Sequence, residues 1–102
     1  MTTAYGFYAE DVLAGGTNYS IYTNAGRVRF FGGTAVPAGG TAGVGVTMSS
    51  TPDLGVFFGS GVPTLSAAQG SLYMRTDGST TSTRMYVNTN GTTGWTAVTT
   101  AA

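Results

Sequence analysis

The chain has few side chains with which to do chemistry. It contains no histidine, cysteine or lysine, and its charges are Glu10, Asp11, Asp53 and Asp77 against Arg27, Arg29, Arg75 and Arg84. The common general bases, thiolate nucleophiles and zinc sites are therefore absent, and a Ser-His-Asp arrangement cannot be built. Glu10 and Asp11 form the one carboxylate pair local in sequence. On a strand they point to opposite faces, whereas a glycosidase holds two carboxylates roughly 5–9.5 Å apart across a cleft. A solvated loop, or an intersubunit ion pair with Arg27 or Arg29, accounts for them better. Asp77, Asn88 and Asn90 could offer oxygens to calcium, but with one carboxylate Asp77-Gly78 reads first as a hairpin turn. The stretch GGTAGVG at residues 39–45 lacks the Lys-Ser/Thr ending and following helix of a phosphate loop, which leaves tightly turning backbone. The inventory points away from an enzyme and implies no cofactor and no metal.

Aromatic residues are the remaining functional candidates. Tyr5, Tyr8, Tyr19, Tyr22, Tyr73, Tyr86 and Trp95 could stack on the rings of a surface glycan, with Thr and Asn bonding its hydroxyls. Core and subunit interface are the stronger assignment, because Tyr, Trp and Arg are enriched at interfaces.

The elements that must position these residues are strands. Seventeen glycines are spread so evenly that no helix-length window escapes one, and no i, i+3, i+4 apolar stripe develops. Strands are expected at residues 5–9, 18–23, 27–31, 43–48, 55–58, 71–75, 83–88 and 94–98. They are separated by Gly-, Pro- and Asn-containing turn signals such as Asn24-Ala25-Gly26, Asp77-Gly78 and Asn90-Gly91. The expected architecture is all-β, with short antiparallel strands and hairpins in one compact unit, intertwined or packed as a homotrimer. Within it, residues 1–33 form a shaft-like hairpin segment, 34–68 a Gly-rich connector with short strands, and 69–102 a β-meander.

The stretch LYMRTDGSTTSTRMYV at residues 72–87 is nearly palindromic. Alternation places Leu72, Met74, Met85 and Val87 on one face of the hairpin and Tyr73, Arg75, Arg84 and Tyr86 on the other. The apolar set is expected inside. The rings and guanidiniums, with Trp95 as anchor, are expected at an interface between chains.

Composition bears on partners. At 102 residues without cysteine the chain must build an economical core or share one. Charged residues make up 8% of it, against roughly 25% in an average domain, and sum to zero. Charge repulsion does little to keep such a surface monomeric. Four arginines in a neutral chain argue against nucleic acid. No apolar run approaches the ~20 residues of a spanning helix, and the first residues lack a signal peptide's basic start and apolar stretch, so no membrane partner is expected.

Residues 69–97, QGSLYMRTDGSTTSTRMYVNTNGTTGWTA, resemble a C-terminal module of tailed-bacteriophage virion proteins with a Gly-Ser-Leu-Tyr-x-Arg-x-Asp-Gly core, an Arg-x-Tyr-Val strand and a closing Gly-Trp. Residues 15–33, GGTNYSIYTNAGRVRFFGG, are similar to a pattern of phage fibre and spike shafts. The resemblance implies a trimeric, β-rich, non-enzymatic module on the virion surface, either a capsid decoration or cement protein or a head-fibre subunit. Its partners would then be copies of itself and a major capsid or other virion protein. On this reading Tyr73, Arg75, Arg84, Tyr86 and Trp95 are oligomer-interface residues, and Tyr5, Phe7 and Tyr8 dock on the capsid or continue an intersubunit sheet. A tail-fibre or glycan-binding module is the alternative, and an extracellular self-assembling fibre the next.

Overall fold

The computed structural model describes Gly16 and residues 21–102. The chain divides into two compact units, residues 1–30 and 31–102. The strand expected at 5–9, the residues Tyr5, Phe7 and Tyr8, and most of the strand expected at 18–23 lie outside the described residues. Residues 27–31 were expected to be extended and are not a strand. Phe31 sits at φ 61°, in the left-handed region, and Thr34 N–H donates to its carbonyl at 3.0 Å, so the chain turns there.

The second unit is all-β: β1 (Gly45–Thr47), β2 (Gly55–Gly59), β3 (Leu72–Arg75), β4 (Met85–Asn88) and β5 (Trp95–Val98) form one sheet in the order β1-β2-β3-β4-β5. Each lies within a residue of, or inside, an expected segment. Val, Phe, Tyr and Trp in alternation suit a pleated surface, and a Gly or Asn lies at or near one end of each run: Gly45, Gly59, Gly70, Asn88 and Gly94. The antiparallel expectation needs one correction: β2 and β3 pair in parallel, so the sheet is mixed. Parallel neighbours need a crossover of about a dozen residues or more. Residues 60–71 supply it, which makes the segment read as a connector an integral part of the sheet.

The crossover is an extended strap in which buried Pro63, Leu65 and Ala67 alternate with exposed Val62, Thr64 and Ser66. Leu65 and Ala67 join Phe57, Tyr73 and Tyr86 in the core, with Trp95 and Ala97 packed against it. Two glycines let backbone approach this small core. Gly40 (φ 80°) leaves no room for a Cβ, which would meet Leu65 Cδ2 at 2.8 Å and Tyr73 Cε2 at 2.9 Å, and a Cβ at Gly59 would fall 2.5 Å from the Tyr73 hydroxyl.

Candidate functional site

The register sorts the sheet into two unlike faces. One carries the cross-strand row Phe57, Tyr73, Tyr86, Ala97, with Asn88 opposite Trp95. The other carries the rows Val46, Val56, Leu72, Val87, Thr96 and Phe58, Met74, Met85, Val98. The strap lies on the first face. The second stands open: Met74 is 49% exposed, Val46 38% and Leu72 37%, and Val56, Phe58, Met85, Val87 and Val98 are only half-buried. No charged residue lies in its two rows. At its edge Phe31 packs on Phe58, ring centroids 6.1 Å apart.

This inverts the expected orientation. Leu72 and Met74 are not inside, and the Tyr-Arg-Trp set is engaged within the chain. Tyr73 is fully buried, and Tyr86 meets it edge-on at 5.9 Å. Trp95 is half-buried, 5.9 Å from Tyr73. The reason is hydrogen bonding. An irregular strap carries backbone carbonyls that must find donors when covered. The Tyr73 hydroxyl lies 3.3 Å from the Ser60 carbonyl and 3.1 Å from that of Gly61, and Trp95 Nε1 donates to Leu65 O at 2.9 Å. Leu and Met offer no such donors.

Arg75 and Asp77 clasp the start of the strap. Arg75 Nε donates to Asp77 Oδ1 at 2.8 Å and its Nη1 to the Tyr86 hydroxyl at 3.3 Å, while Gly61 N–H donates to Asp77 Oδ1 at 2.9 Å. These bonds, the Arg75 one foremost, hold the Asp77 carboxyl below its ordinary range, and the bond to Asp77 raises Arg75. Burial, then the Asp77 charge, pushes the Tyr73 phenol up. Arg84 is exposed and pins the chain's end, its Nη1 donating to Thr100 Oγ1 at 3.0 Å and Ala101 O at 3.4 Å.

The oxygens considered for calcium are not brought together. Asn88 N–H donates to Ser71 O at 2.9 Å, whereas Asp77 follows Arg75 at the other end of β3, on the order of 13 Å along the strand. Buried Asn88 instead organises the β4–β5 loop. Its Nδ2 donates to Thr92 O at 2.7 Å, and its Oδ1 accepts from Asn90 and Gly91 N–H at 3.2 and 2.8 Å. In the other unit, Arg27, Val28, Arg29 and Phe30 are the described residues that line an open hollow of about 500 Å³. The convergent feature is thus the uncharged open face, and the alternation of Pro63, Leu65 and Ala67 was the sequence signal that the opposite face would be covered. Compared with family models, curated proteins and solved structures, the chain gave no match.

Proposed function

We propose that this chain is a non-enzymatic structural subunit that works by assembling with copies of itself, most simply as a homotrimer on the surface of a tailed-bacteriophage virion, where it decorates or cements the capsid or forms a head fibre. The carrying observation is the open apolar face, with Met74, Leu72 and Val46 exposed on a sheet that has no charge there. The largest apolar patch on a monomer is about 300–600 Å² and is often functional, and larger patches mark interaction sites. Five strands about 4.8 Å apart and about four residues long give a face on the order of 300 Å² in projection. At about 25 cal/mol per Å², covering it contributes at most about 7 kcal/mol per copy before the cost of association. The virion context and the number three rest on the motif resemblance at residues 69–97 and 15–33. The glycan-binding alternative loses Tyr73 and Tyr86 as ring platforms, because both are buried.

Light scattering on a sizing column, over a dilution series, tests the reading. The wild-type chain should keep a trimer's mass on dilution. Met74→Asp places a carboxylate in water in the single chain and in an apolar interface in the assembly, so it should run as a folded monomer with the sheet's circular dichroism retained. A wild-type chain that is folded and monomeric at all concentrations would overturn self-assembly.

A further inference from the structure

Among the described residues the sheet has two open edges, β1 of three residues and β5 of four, and shortness is the one protection they show. Natural sheets also blunt their edges with charge, proline, bulges or covering loops. Here no charge occurs between Arg29 and Asp53 or after Arg84, and no proline lies in β1 or β5. Among the described residues no strand pairs outside either one.

Backbone directions can be read from the bonds. Asn88 N–H donates to Ser71 O and Asn88 O accepts from Gly70 N–H, so Asn88 faces β3. Alternation turns Val87 toward β5, and its partner Thr96 therefore faces β4. The bond from Thr89 N–H to Gly94 O at 2.9 Å agrees. Trp95 and Ala97 thus point their N–H and C=O groups outward. On β1, Met48 N–H donates to Leu54 O, so Val46 faces β2 and Gly45 and Thr47 face outward. Each edge offers two outward residues. The strands run oppositely, because β1 is antiparallel to β2 while β5 runs with it through β3 and β4.

We propose that β5 of one copy pairs antiparallel with β1 of the next, head to tail. The occupant is a second copy of this chain, so the inference rests on the self-assembly reading and adds its geometry. Two arguments select it. The apolar face, on the order of 300 Å², is well short of the ~800 Å² per partner in a stable interface, so further contact is needed. A two-fold β5–β5 pairing would leave both β1 edges bare, whereas head-to-tail pairing in a closed ring leaves no edge at all. It also carries the rows ending at Val46 and Val98 across the junction, so the open faces form one apolar surface.

The test is residue-resolved hydrogen exchange on the assembled wild-type chain, with two edge variants. The Trp95, Ala97 and Thr47 amides, unpaired among the described residues, should exchange about tenfold or more slower than exposed loop amides. Ala97→Pro and Thr47→Pro each remove an outward N–H while sparing the chain's own ladder. Each alone should lose the trimer's mass, and an equimolar mixture should recover one junction and give a dimer. An oligomer with freely exchanging Trp95 and Ala97 amides would overturn the edge pairing while leaving self-assembly standing. Retention of the trimer's mass by Thr47→Pro would overturn the edge pairing in favour of contact through the open faces alone, and a dimer formed by Thr47→Pro on its own would overturn it in favour of two-fold β5–β5 contact. A monomeric wild-type chain would overturn both.

Discussion

The two faces of the sheet are made by the same strands with the same register, yet one is a finished core and the other an open surface. On the covered face Phe57, Tyr73 and Tyr86 are buried and each polar tip has a partner; among the described residues no buried side-chain nitrogen or oxygen is left unpaired. On the open face Leu72, Met74, Met85 and Val87 are more uniformly apolar but, among the described residues, have no strap above them. The comparison teaches that coverage follows hydrogen-bonding capacity as well as hydrophobicity. The irregular crossover lies on the side chains that donate to its Gly61 and Leu65 carbonyls, and the largely apolar face, which among the described residues gives it no such bond, is left open.

The largest test of this difference pairs a substitution on each face. Tyr73→Ala should cost about 3–5 kcal/mol, much of a small domain's total stability, and show as a large drop in the denaturation midpoint. Met74→Ala, measured under conditions where the chain is monomeric, should change stability by less than about 0.5 kcal/mol. Equal losses would mean that the faces are not energetically distinct. A smaller effect probes the loop that closes the covered face. Asn88→Ala leaves the Thr92 carbonyl and the Asn90 and Gly91 amides without their partner and should cost about 1–3 kcal/mol by urea denaturation, whereas an exposed control such as Thr96→Ala should cost little.

The smallest expected effect is on the Arg75–Asp77 clasp. Asp77 is depressed in the folded state, so its contribution is present above its unfolded pKa, near the ordinary 3.8, and is lost as pH falls through the lower folded value. Asp77 is exposed and Arg75 only partly covered, and pairs open to solvent in this way contribute little. The measurable outcome is local: below about pH 4, the protection of the Gly61 amide, its exchange relative to an unstructured amide at the same pH, should fall before the sheet melts, and Asp77→Asn should remove that change. Gly61 protection that is flat with pH in the wild-type chain would show that the clasp does not restrain the strap.

Much of the described fold was legible in the chain. Alternating Val, Phe, Tyr and Met between Gly, Asn and Pro marked all five strands, because period-two patterning and turn chemistry are local properties. The pairing of Tyr73 with Tyr86 and Met74 with Met85 was legible too, since a palindromic hairpin fixes which residues meet whichever face is buried. The absence of histidine and cysteine fixed which common catalytic arrangements cannot exist. Tertiary structure alone decided which face is core, and so moved the candidate surface from Tyr73, Arg75, Tyr86 and Trp95 to Leu72, Met74 and their neighbours. It also decided that β2 and β3 run parallel. Both outcomes turn on residues 60–71, whose backbone must cross from the end of β2 to the start of β3 and lie on one face as it goes. The face bearing Tyr73 and Trp95 supplies donors to the Gly61 and Leu65 carbonyls, which buried polar groups need, and that match is a contact between segments far apart in sequence.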